Sequence, residues 1–193
     1  MNFLAHLFLS GEDEDIIVGN MIADFIRNKE VAGFSPEVQK GIHLHRLIDS
    51  YTDNHEEVRK GTSRLRPHHR KYAPVVIDLF YDYLLAKNWD TYSNISLNDF
   101  CQNMYQVLNK RMEEMPLKLK ERLPGMIESN WLVKYGTFDG LHYVLEMMDR
   151  RTKFPSNFTS GIGDLKVGME DFNREFNTFF PDVFTYVENR LDE

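Results

Sequence analysis

A chain of 193 residues with 42% hydrophobic and 13% aromatic residues has a globular composition and enough length for one domain with a sizeable core. Its net charge of −7 argues against nucleic acid as a partner, because neutralising phosphates takes clustered Lys and Arg. The single cysteine, Cys101, excludes an intramolecular disulfide or a cysteine-based zinc cluster and suits a reducing, cytoplasmic setting, and no apolar run approaches the roughly 20 residues that span a membrane.

In chain order, MNFLAHLFLS is apolar, lacks a basic leader and meets the acidic GEDED at once, so it is expected as a structural first helix rather than a signal peptide. From Asp15 to Arg27 the chain is apolar around most of a helical circumference, interrupted by Asn20 and Asp24 on one face. Ser35 with Pro36 reads as an N-cap followed by proline at the first helical position, opening a helix that ends near Asn54. A short helix or irregular segment, His55 to Leu65, leads through Pro67 into a basic run. Pro74 to Trp89 is apolar on nearly every face except at Asp78 and Asp82.

Further helices are expected over Ser96 to Arg111, Pro116 to Trp131, Phe138 to Arg151 and Asp164 to Phe180, with Pro181 restarting a last one. Arg150, Arg151 and Lys153 form a small basic group. Strand-like alternation is missing over any useful length, so residues 1–193 read as one all-α, single-domain helical bundle.

Within Gly41 to His55, GIHLHRLIDSYTDNH, the helical phase brings His45 and Asp49 to one border of the apolar face, while His43 is turned about 200° away. Three helices thus each carry a polar pair at the same spacing: Asn20 with Asp24, His45 with Asp49, and Asp78 with Asp82. His6 is a possible fourth contributor. Converging carboxylates repel unless a cation sits between them, which points to a metal. A donor set of carboxylates with imidazole and no thiolate suits Mn²⁺ best, with Mg²⁺ or another divalent ion open. Such a centre polarises phosphoryl oxygen and acidifies bound water, the requirements of phosphoester hydrolysis. Arg46, beside His45, is a candidate phosphate clamp or equally a surface ion-pairing residue. Cys101 lies on an apolar helical face and reads as core, and Asp53 reads as a helix-end residue.

The segments MNFLAHLFLS, GNMIADFIR, GIHLHRLIDSYTDNH and RKYAPVVIDLFYDYLLAKNW, in this order and spacing, resemble the acyl carrier protein phosphodiesterase family. The resemblance implies an all-helical, HD-domain-like hydrolase that cleaves the phosphodiester between 4′-phosphopantetheine and the serine of holo-acyl carrier protein, with Mn²⁺ as cofactor. Carried over by motif, its functional positions are His6, Asn20, Asp24, His45, Asp49, Asp78 and Asp82. The sequence departs from the wider HD group in having no His followed directly by Asp. Asp24 is expected to orient or deprotonate the attacking water, with His45 and the aspartates Asp24, Asp49, Asp78 and Asp82 holding the ion. Acyl carrier proteins are acidic, which gives the basic run of Arg64, Arg66, Arg70 and Lys71 a docking role. Two rival readings are a phosphohydrolase for a nucleotide or other small phosphodiester, and a non-catalytic module that binds a carrier protein. Oligomeric state is left open.

Overall fold

The structure is a computed structural model that describes residues 1–152 and 156–191; Lys153 lies outside the described residues. Among the described residues there is no strand, and there are twelve α-helices: α1 (Phe3–Phe8), α2 (Glu14–Ile22), α3 (Pro36–Asn54), α4 (Glu56–His69), α5 (Ala73–Lys87), α6 (Trp89–Tyr92), α7 (Leu97–Lys110), α8 (Leu117–Glu128), α9 (Trp131–Lys134), α10 (Phe138–Arg151), α11 (Gly161–Val167) and α12 (Met169–Leu191). The fold is all-α, as the periodicity implies. No helix of the described residues is long and apolar enough to cross a membrane.

Helix α5 is central because its sequence is apolar all round: Val76, Leu79, Phe80, Tyr81, Leu84 and Leu85 are completely buried. Against it α12 lays an aromatic row, with Phe80 edge-on to Phe172 at 5.2 Å and Tyr81 against Phe176 at 5.5 Å and Phe179 at 5.3 Å. Each such ring removes enough apolar surface from water to stabilise the fold by about 2 to 3 kcal/mol. α1 packs on both α2 and α5, so the first residues of the chain lie inside the fold.

The close pairing of α2 with α3 depends on two glycines. A Cβ on Gly19 would stand 2.1 Å from the Val38 carbonyl oxygen, and one on Gly41 would stand 2.4 Å from that of Ile16. Only backbone without side chains lets the axes approach this far. Gly19 directly precedes Asn20, and Gly41 lies one turn before His45, so the crossing also sets the distance between those two side chains.

Four boundaries differ from the sequence reading. α2 stops at Ile22 and tightens into a 3₁₀ turn, Ala23–Phe25, which carries Asp24 off the helix. The apolar pattern continues through Phe25 and Ile26, so periodicity alone does not reveal the tightening. α4 runs on through Pro67 to His69, so the basic run forms its last turns, ending where Arg70 takes a positive φ of 49°. α11 ends at Val167 and α12 starts at Met169, where one helix was expected from Asp164. α12 then continues through Pro181, because Phe179, Phe180, Val183 and Val187 keep one buried face in phase across it. That burial exceeds the roughly 3 kcal/mol a proline costs within a helix.

Candidate metal centre and its cleft

Three elements deliver the polar groups that converge. His6 comes from α1, His45 and Asp49 from α3, and Asp24 from the 3₁₀ turn after α2. The imidazoles of His6 and His45 are buried and stacked, with ring centroids 3.9 Å apart and planes 15° apart. One ligand atom from each of His6, His45 and Asp49 lies within 4.8 Å of the other two, a group able to hold a divalent metal.

Hydrogen bonding fixes the orientation of His45. The Asn20 amide nitrogen donates to the His6 carbonyl oxygen at 3.0 Å and to Ser10 Oγ at 2.9 Å, and Ser10 Oγ itself donates to the His6 carbonyl at 2.8 Å. Asn20 therefore presents its Oδ1 to His45 Nδ1, 2.9 Å away, and Nδ1 carries the proton. In the neutral ring Nε2 then holds the lone pair. This atom is buried without a well-formed hydrogen bond, although Asp24 Oδ1 lies 3.3 Å from it and Asp49 Oδ2 3.2 Å from it. His6 Nε2 meets Asp49 Oδ1 at 3.0 Å, and its Nδ1 is likewise buried without a partner. Ring nitrogens and carboxylate oxygens that crowd together while leaving a nitrogen unsatisfied fit a cation centre, with Asn20 fixing the tautomer from behind.

The charges answer to this crowding. Burial disfavours a proton on His45, but Asp24 and Asp49 outweigh it and lift the ring to about 9. Burial, together with the charges of His45 and the α-amino group, pushes His6 down to about 4 in spite of its bond to Asp49. Burial raises the Asp49 carboxyl, yet the two histidines prevail and hold it far below the usual carboxylate range. The hydrogen bond to His45 lowers Asp24. Acid and base are thereby separated across a few ångströms.

Other expected site residues stand apart from this cluster. Asp82 is fully buried, and its two oxygens accept the backbone N–H groups of Leu4 at 2.9 Å and Ala5 at 3.2 Å. With the Asn2 side chain taking the Phe3 N–H at 2.8 Å, it satisfies the otherwise unpaired donors at the start of α1. Asp82 therefore anchors the helix that carries His6, and is no ligand in this arrangement. Burial lifts its carboxyl to about 7 against those two donors. Asp78 pairs with the α-amino group of Met1 at 3.1 Å, and the same amino group lies 3.6 Å from Asp49. Burial raises the Asp78 carboxyl although the ammonium pulls it down. Nothing in the sequence pattern signals that the chain's own amino group would enter this network.

Asp24, Asp49 and Asp78 open into a cleft of about 600 Å³, which Asp53 also lines rather than serving only as a helix end. Lys118 and Arg122 of α8 and Arg151 of α10 line the same cleft. Arg46 is exposed and lies outside this lining. Arg64 is held bidentately by the buried Glu175, at 3.0 and 2.6 Å, and sits over the Phe172 ring, so it serves the core rather than a docking surface. Arg66 and Arg70 are exposed, and Lys71 lies over the Tyr72 ring at 5.0 Å. That run leads directly into Pro74 and Val75 of the cleft lining. Cys101 is buried, and burial pushes its thiol up to about 12. His68 and His69 both bond Asp164, at 2.7 and 2.8 Å.

Residues 1–183 match the family model described as acyl carrier protein phosphodiesterase. A protein of Escherichia coli named acyl carrier protein phosphodiesterase is 33% identical over 192 residues, covering 98% of this chain and 99% of its own. Proteins of the same name from Photorhabdus laumondii and Klebsiella pneumoniae are 30% and 29% identical over 191 residues each, covering 98% of this chain and 96% and 99% of theirs. No solved structure matches the chain significantly. With agreement running along nearly its whole length, the chain belongs to the acyl carrier protein phosphodiesterase family.

Proposed function

We propose that this chain hydrolyses the phosphodiester joining 4′-phosphopantetheine to the serine of holo-acyl carrier protein, releasing the apo-protein and 4′-phosphopantetheine. The observation that carries the reading is the convergence of His6, His45 and Asp49 beside Asp24 at a cleft lined by both acids and cations. Membership of the family supplies the substrate. His45 Nε2, a nitrogen of His6 and Asp49 would hold a divalent ion, Mn²⁺ by preference, since two imidazoles with a carboxylate and no thiolate suit it. Such an ion neutralises charge on a phosphoryl oxygen and acidifies a water.

The chain's own groups do the rest. Asp24, at 64% more exposed than Asp49 or Asp78, faces the cleft and takes the proton of the attacking water on Oδ1. An aspartate is ionised at neutral pH and so free to accept that proton. The water oxygen bonds to phosphorus, the bond from phosphorus to the serine oxygen breaks, and that oxygen regains a proton. Asn20 holds the His45 ring in the tautomer that leaves Nε2 available. Arg66, Arg70 and Lys71 would meet the acidic surface of the carrier. Kinship with the HD-domain phosphohydrolases is part of the proposal and rests on a helical His and Asp donor set without an adjacent His-Asp dyad. A cytoplasmic location suits a chain with one buried cysteine.

Chromatographic release of 4′-phosphopantetheine from holo-carrier tests the reading. Release should stop with a chelator and return with Mn²⁺; release that persists in chelator would remove the metal from the account.

A further inference from the structure

This chain has 30 acidic residues to 23 Lys and Arg, so a surface cation has carboxylates in ample supply. Arg111, Arg150 and Arg174 each pair with at least one. Among the described residues no carboxylate lies within ion-pair distance of Lys118, Arg122 or Arg151, the three cations of the cleft. Aromatic rings hold the two arginines instead. The Arg122 guanidinium lies 5.6 Å from the centroid of Phe25, the residue directly after Asp24, and that of Arg151 lies 5.4 Å from the centroid of Trp131. Cation–π contact positions a guanidinium without neutralising it. Burial and the neighbouring Arg122 charge both hold Arg151 below its ordinary value, so the pair sits under mutual repulsion that an anion would relieve.

The acidic part of the same cleft would by itself repel a phosphodiester. On the hydrolase reading given above, we propose that Arg122 and Arg151, with Lys118, form the anion-binding part of the cleft and take the non-bridging oxygens of the substrate's phosphate. A guanidinium fork matches phosphate geometry, and two forks leave the phosphorus open to the attacking water. The role given in the sequence to Arg46 thus passes to α8 and α10. The same chemistry could come from carboxylates on the carrier protein, but the placement of Arg122 over Phe25 within the cleft favours the small phosphate group.

Calorimetric binding of 4′-phosphopantetheine and of unphosphorylated pantetheine to the Mn²⁺-loaded chain separates these sources. In Arg122→Gln and Arg151→Gln the phosphorylated compound should bind about tenfold or more weakly. Pantetheine binding and Mn²⁺ affinity should not change. Arg122→Lys and Arg151→Lys, which keep the charge and lose the fork, should show a smaller loss and serve where a Gln variant does not fold. Unchanged 4′-phosphopantetheine affinity in the variants, with a raised KM for holo-carrier, would overturn the proposal and place the arginines against the protein. Arginine-dependent phosphate binding in a chain that fails to hydrolyse holo-carrier would uphold this site while removing the hydrolase reading.

Discussion

At the residue scale the account depends on what Asn20, Asp24 and His45 each hold. Asp24→Asn removes the base and leaves the His6, His45 and Asp49 group intact, so kcat should fall about 100- to 10,000-fold with Mn²⁺ binding kept within a few-fold. Loss of the ion in equilibrium dialysis would make Asp24 a ligand instead. Asn20→Ala frees the His45 ring, and Mn²⁺ affinity should drop about 10- to 100-fold. The pH dependence has a definite sign. In the metal-free chain His45 is lifted to about 9, so its Nε2 is protonated at neutral pH and an ion must displace that proton. Affinity should therefore weaken as pH falls below 9, by about tenfold per unit, with one proton released per ion in calorimetry across buffers of different ionisation enthalpy. Affinity that is flat between about pH 6 and pH 8 would contradict the protonation of His45 in the metal-free chain. Of these residues, His45 and Asp49 are legible as a pair because a capped amphipathic helix fixes their phase. Lys118 and Arg122 are not, since on α8 they look like the solvated charges of any amphipathic helix until the tertiary fold shows that no carboxylate among the described residues pairs with them.

At the element scale, the site is positioned by helices whose contacts lie outside it. Gly19→Ala would press a methyl into the Val38 carbonyl, driving α2 from α3. The expected cost is about 3 kcal/mol in urea denaturation, with lowered Mn²⁺ affinity because Asn20 moves from His45. Wild-type stability in that variant would mean the crossing is looser than described. The aspartate pairs show where sequence reasoning stops. Asp78 and Asp82 are conspicuous as acids in an apolar helix, and a cation was the natural answer. The fold answers with an ammonium for Asp78 and two backbone N–H groups for Asp82, partners contributed by the first five residues of the chain. Burial of an acid announces that it has a partner and does not say which. The prolines teach the reverse: Pro67 and Pro181 look like breaks, but a buried face in register on both sides carries α4 and α12 through them.

At the scale of the whole molecule, an acidic enzyme with an acidic protein substrate must confine attraction to a limited surface. Arg66 and Lys71 lie in the run that leads into the cleft lining, and reversing both to Glu should raise KM for holo-carrier several-fold and flatten its salt dependence, with kcat nearly unchanged. Unaltered kinetics would remove that run from docking. Fold class is readable throughout because helical period pervades the chain, whereas the cleft is assembled from α1, the 3₁₀ turn after α2, α3, α5, α8 and α10 and exists only after packing. The central claim is that these groups together cleave one bond in a carrier protein. Intact-mass spectrometry of holo-acyl carrier protein incubated with this chain and Mn²⁺ reads that bond directly. The account predicts loss of the phosphopantetheine mass in the wild type and its retention with Asp24→Asn; a holo-carrier that keeps its full mass with the wild-type chain would contradict it.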